Sequence, residues 1–103
     1  GAVTQLTSKS TAVTLNTSAG RITMNNAALA GNTAVSFVLN NSLISANDII
    51  ILNISGGAVA DPTAYTTYIS GMGTGTVTIT LRNLTVTSQS EAVIINFALI
   101  HCR

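Results

Sequence analysis

Glu91-Ala92-Val93-Ile94-Ile95-Asn96-Phe97-Ala98-Leu99-Ile100 is the longest run of strand-forming residues in the chain. Period two sets Val93, Ile95, Phe97 and Leu99 on one face and Ile94, Asn96, Ala98 and Ile100 on the other. A strand with one wet face alternates apolar and polar residues, and here only Asn96 is polar. The reading is a central strand covered on both faces, one of them by another subunit. Residues 48–55 repeat the pattern, with Ile49 and Ile51 opposing Ile50, Leu52 and Ile54.

Working outward, residues 76–83 alternate most cleanly: Val77, Ile79 and Leu81 inward, Thr76, Thr78, Thr80 and Arg82 outward. Residues 33–41 do the same with Val35, Phe37 and Leu39. Shorter strands are expected at 2–7, 12–15, 21–24 and 64–70, the last with Tyr65 and Tyr68 on opposite faces. Ser8-Lys9-Ser10-Thr11 reads as a polar turn, and 25–30 as a single helical turn or an irregular crossing. Gly56-Gly57 breaks a strand, Asp61-Pro62 forces a turn, and Gly71-Met72-Gly73-Thr74-Gly75 reads as a flexible loop. About eight short strands at regular spacing, with no strand–helix alternation, predict an all-β antiparallel sandwich or barrel.

The 103 residues suit one domain, residues 1–103. The opening Gly1-Ala2 is compatible with a cleavage scar, so this can be the C-terminal domain of a longer chain. Charged residues make up 7% of the chain, against ~25% in ordinary soluble proteins, so little repulsion keeps copies apart. Lys9, Arg21, Arg82 and Arg103 are scattered, which leaves no basic patch of the kind nucleic acid needs. No apolar run approaches the ~18–20 residues of a spanning helix, and no leader-like segment is legible. The single Cys102 excludes an intrachain disulfide.

No catalytic, metal or cofactor site is expected. His101 is the only histidine, and neither the acids Asp48, Asp61 and Glu91 nor Cys102 stand at ligand spacing to it. Two of the three acids meeting in space would make a glycosidase pair, but turns and strand ends account for them more simply. A Ser–His–Asp triad would need His101 buried beside an acid, with no nucleophile-elbow motif in support. The glycine run 71–75 lacks a following lysine and precedes a strand, so it is not a phosphate loop. Tyr65 and Tyr68 are the candidate ligand-binding residues, because aromatic rings stack on sugar faces; core packing is the competing account. The loops at 56–68 and 71–75 would carry that contact. The candidate oligomer interface is Ile49, Ile51, Ile94 and Ile100, the isoleucines of the surplus apolar faces.

Three segments, residues 3–11, 20–30 and 88–100, together with Val35-Ser36-Phe37 and Val77-Thr78-Ile79, resemble a small domain of tailed-bacteriophage and prophage virion proteins. The similarity runs in order along nearly the whole chain and is weakest from 57 to 72. It implies a jelly-roll-like β-sandwich located in a virion, a homo-oligomer with trimeric symmetry, other virion proteins as partners and no catalytic motif. Three roles follow from it. The first is a tail fibre or spike tip that trimerises and touches host cell-surface glycan. The second is a capsid decoration or cement protein. The third, well behind, is a polysaccharide-degrading enzyme.

Overall fold

A computed structural model describes residues 1–55, 59–61 and 63–101. The expected breaks at Gly56-Gly57 and Pro62, and Cys102, lie outside the described residues. The strands are β1 (Ala2–Thr4), β2 (Val13–Thr14), β3 (Ala19–Thr23), β4 (Ala34–Asn40), β5 (Ile49–Ile54), β6 (Tyr65–Gly73), β7 (Thr76–Asn83) and β8 (Ile94–Ile100). They form two four-stranded sheets packed as a sandwich. Sheet A has the order β1-β3-β8-β5, and sheet B has the order β2-β4-β7-β6.

The sheets are mixed, which corrects the expected all-antiparallel pairing. β1 runs parallel to β3, and β2 parallel to β4; the other four pairs are antiparallel. The reason is the route of the chain. From β1 to β6 each successive strand lies in the opposite sheet. Each crossing reverses direction, two crossings restore it, and next-but-one strands that land side by side are therefore parallel. β8 enters sheet A between β3 and β5 and runs against both, and β7 does the same between β4 and β6.

The clean alternation of β7 holds: Val77, Ile79 and Leu81 are fully buried and meet Phe37 and Leu39 of β4 in one core. From sheet A the core receives Ile22, Val93, Ile95 and Phe97, so this face of the C-terminal strand is the inner one. At ~25 cal/mol per Å² of apolar surface, each such side chain contributes about 1.5–3 kcal/mol before ordering costs.

One connection differs from expectation, and a second takes one of its two expected forms. Gly71, Met72 and Gly73 belong to β6, after a register shift between Ile69 and Gly71, and the turn is confined to Thr74-Gly75. Gly75 has φ 77°, a conformation that L side chains rarely adopt. Residues 25–30 make no helix; they cross irregularly, with Leu29 buried and paired to Gln89 by two backbone hydrogen bonds of 2.7 and 2.9 Å. Gly31 follows, where a Cβ would meet the Val86 carbonyl carbon at 2.4 Å. That close approach lets the crossing and the 84–90 connection lie against each other.

Candidate functional site

The outer face of sheet A is built by register. Ile49 lies across from Ile100; one step along, Ile51, Ala98 and Ala19 form a row; the next row is Asn53, Asn96 and Arg21. Ile49 and Ile51 are each 52% exposed and Ile100 is 45% exposed. Beyond the asparagine row, Ile94 stands half-buried beside Thr23. The four expected isoleucines therefore share a face, but only three are contiguous. Arg21 Nε donates to Asn96 Oδ1 at 3.4 Å and marks the polar end of the sheet.

The two tyrosines part company. Tyr68 is 48% exposed on the outer face of sheet B. Tyr65 is only 6% exposed, and its hydroxyl donates to Glu91 Oε1 at 2.7 Å. The expectation of Tyr65 as a ligand-binding residue is corrected: its phase on β6 aims it at the core, so it offers no face to a sugar. Glu91 Oε2 also accepts the Ala60 N–H at 2.9 Å. Nearby, buried Lys9 donates from Nζ to the carbonyls of Asn25 and Glu91, the latter at 2.6 Å. Burial pushes the Tyr65 hydroxyl well up, helped by Glu91. The Tyr65 hydrogen bond, the Ala60 N–H and the Lys9 charge hold the Glu91 carboxyl down. Burial lowers Lys9, partly offset by Glu91. Gln5 fixes this corner by donating to the carbonyls of Lys9 and Thr11 at 3.0 and 2.9 Å. Alternation missed the cluster, since Lys9 sits in what reads as a polar turn. The only signal was an isolated lysine in a chain with few charges.

At the far end of β8, His101 Nδ1 stands 3.0 Å from Asp48 Oδ2. Asp48 also accepts the Ser45 N–H at 2.9 Å and its hydroxyl at 2.7 Å. Those two Ser45 bonds, with His101 in support, hold the Asp48 carboxyl down to about 2. A catalytic triad puts the imidazole between serine and acid. Here the acid is in the middle, so the Ser45 hydroxyl gives its proton to a carboxylate and the imidazole does not reach it. The group closes the β5–β8 pair rather than activating a nucleophile. Among the described residues no three potential metal-ligating side chains gather, no cleft opens, and no helix is long and apolar enough to cross a membrane.

The outer face of sheet B carries hydroxyls instead of isoleucines. Thr80 is 3% exposed although it points outward, and its hydroxyl bridges Ser36 and Ser70, 2.8 Å to each. Tyr68 lies across from Thr80, and Arg82 across from Thr66. These features define a β-sandwich with one apolar and one hydroxyl-rich outer face. Comparison of the chain with protein-family models, curated proteins and solved structures finds no match in any of the three.

Proposed function

We propose that the chain is a non-catalytic structural domain of a bacteriophage virion, a trimeric fibre or spike tip that associates with copies of itself through the outer face of sheet A and turns sheet B towards host-surface glycan. The observation that carries the reading is the contiguous set Ile49, Ile51 and Ile100, each about half exposed, with no charged residue in their two rows. Contiguous exposed apolar surface marks an association site. The virion and the three-fold symmetry rest on the sequence resemblance. The jelly-roll form is supported by the winding of β3–β8, in which β3-β8-β5 and β4-β7-β6 repeat one order in the two sheets. The parallel strands β1 and β2 then extend each sheet at one edge.

Completing the burial of the three isoleucines contributes ~1 kcal/mol each. That falls short of the cost of association on its own, so Ala19, Ala98 and Ile94 take part in the contact. Light scattering of the purified chain at micromolar concentration tests the reading. The expected species is a multiple of 10.5 kDa, and Ile51→Asp, at an exposed position, reduces it to a folded monomer. A parent chain that stays at 10.5 kDa overturns the self-association. Binding to empty capsids without binding to host cells would replace the tip by a head decoration protein. Protein-dependent release of reducing ends from host polysaccharide would replace it by an enzyme.

A further inference from the structure

We propose that the outer face of sheet B binds a carboxylate-bearing polysaccharide, a polyuronate, with Tyr68 stacked beneath a sugar ring and Arg82 paired with its carboxylate. The inference rests on the reading of the domain as a glycan-contacting virion part and adds which face reads the glycan and what charge the glycan bears.

The register makes the juxtaposition. Tyr68 is directly opposite Thr80, and Thr80 is opposite Ser36 on the next strand. Arg82, two residues from Thr80, is the diagonal neighbour of Tyr68 on the same face, within reach of long side chains. Arg82 is exposed, and every acid of the chain is engaged elsewhere. Asp48 holds Ser45 and His101, Asp61 accepts the N–H and hydroxyl of Thr63, and Glu91 holds Tyr65 and the Ala60 N–H. Among the described residues the guanidinium is therefore an uncompensated charge on an otherwise neutral face. Its planar fork suits a carboxylate, taken in two hydrogen bonds.

The hydroxyls supply the complementary half. Ser70 Oγ donates to the Thr78 carbonyl at 3.4 Å, and Thr80 donates to Ser70 at 2.8 Å. A hydroxyl has one proton, so Ser36 must be the donor in its 2.8 Å contact with Thr80. Both exposed serines thus commit their protons within the sheet and keep acceptor capacity for the O–H donors of a sugar. The exposed Tyr68 ring supplies the stacking surface. The described residues form no cleft, so the face suits a polymer lying along the sheet better than a small molecule, which would need enclosure. A single arginine is too little charge for nucleic acid.

Affinity electrophoresis of the purified chain through polygalacturonate, its methyl ester, dextran and polyphosphate tests the proposal. The parent is expected to bind polygalacturonate and to bind the methyl ester about tenfold more weakly. Arg82→Gln should lose about tenfold on polygalacturonate and nothing on the ester. Tyr68→Ala should weaken binding about fivefold and Tyr68→Phe should not. Arg21→Gln, on the other sheet, should have no effect. Equal binding to ester and acid would overturn the acidic ligand while leaving glycan contact intact. So would binding to host cells with none to either polymer. Preference for polyphosphate, or equal loss in Arg21→Gln, would overturn the site as general charge attraction. Failure on both host cells and polymers would remove the glycan reading with it.

Discussion

Replacing Asn83 by alanine should cost about a fifth or more of the stability of this fold. Asn83 is fully buried at the end of β7. Its Nδ2 donates to the carbonyls of Leu29, Ala30 and Thr87 at 3.0, 3.3 and 2.9 Å. Its Oδ1 accepts the Thr85 N–H at 2.9 Å and the Thr85 hydroxyl at 2.7 Å. One side chain thus ties the 25–30 crossing to the 84–90 connection. After truncation the acceptors have other partners: Leu29 O keeps the Gln89 N–H, Ala30 O keeps the Thr33 hydroxyl, and Thr87 O takes the Thr85 hydroxyl proton that Oδ1 no longer shares. The Thr85 N–H is left without its partner. Two amide protons lost from these carbonyls at ~1 kcal/mol each and one part-buried N–H orphaned at ~1 kcal/mol give roughly 3 kcal/mol. Against the ~5–15 kcal/mol of a typical domain, that lowers the melting temperature by roughly 12 °C or more. Urea unfolding followed by circular dichroism reads it as a lower midpoint at an unchanged slope. Asn83→Asp is the sharper variant, because it keeps Oδ1 but turns an anionic oxygen on the three carbonyls. The introduced carboxyl should titrate above the ordinary range in the folded state. Its penalty is therefore present at pH 7 and relieved as pH falls through that raised value. A loss below ~1 kcal/mol for Asn83→Ala would refute the clip.

Two further outcomes follow from the same hydrogen bonds. Tyr65→Phe removes the donor to Glu91 and should destabilise by ~1–2 kcal/mol; a carboxyl-sensitive infrared or NMR titration should show Glu91 ionising at higher pH than in the parent. Acid should weaken the fold in a defined window. Asp48 is depressed from 3.8 to about 2, so its contribution is complete above pH 4 and is lost as pH falls towards 2, and Glu91 and Asp61 shift in the same direction. Urea midpoints at pH 7, 4 and 2 should fall mainly across the last interval, and Asp48→Asn should flatten that fall; a midpoint independent of pH from 4 to 2 contradicts it.

Much of the local structure was legible in residue order. Thr76–Asn83 declares its two faces by strict alternation, and the face expected to be inner is the one found buried. The mutual opposition of Tyr65 and Tyr68 also follows from spacing, because period two is a property of the backbone alone. Which tyrosine is inside does not follow, since both flank alike and only the covering sheet decides. The same holds for Ile94–Ile100, apolar on both sides, where contact with the facing sheet makes Ile95 and Phe97 core and leaves Ile100 outside. Lys9 looks like a turn residue until Glu91, 82 positions away, brings its carbonyl to the ammonium. Parallel pairing of β1 with β3 arises from two crossings between sheets, which no stretch of either strand encodes. Side-chain period is set by neighbours one and two bonds along the chain; burial, pairing direction and the partner of a charge are set by segments that meet only when the long loops close.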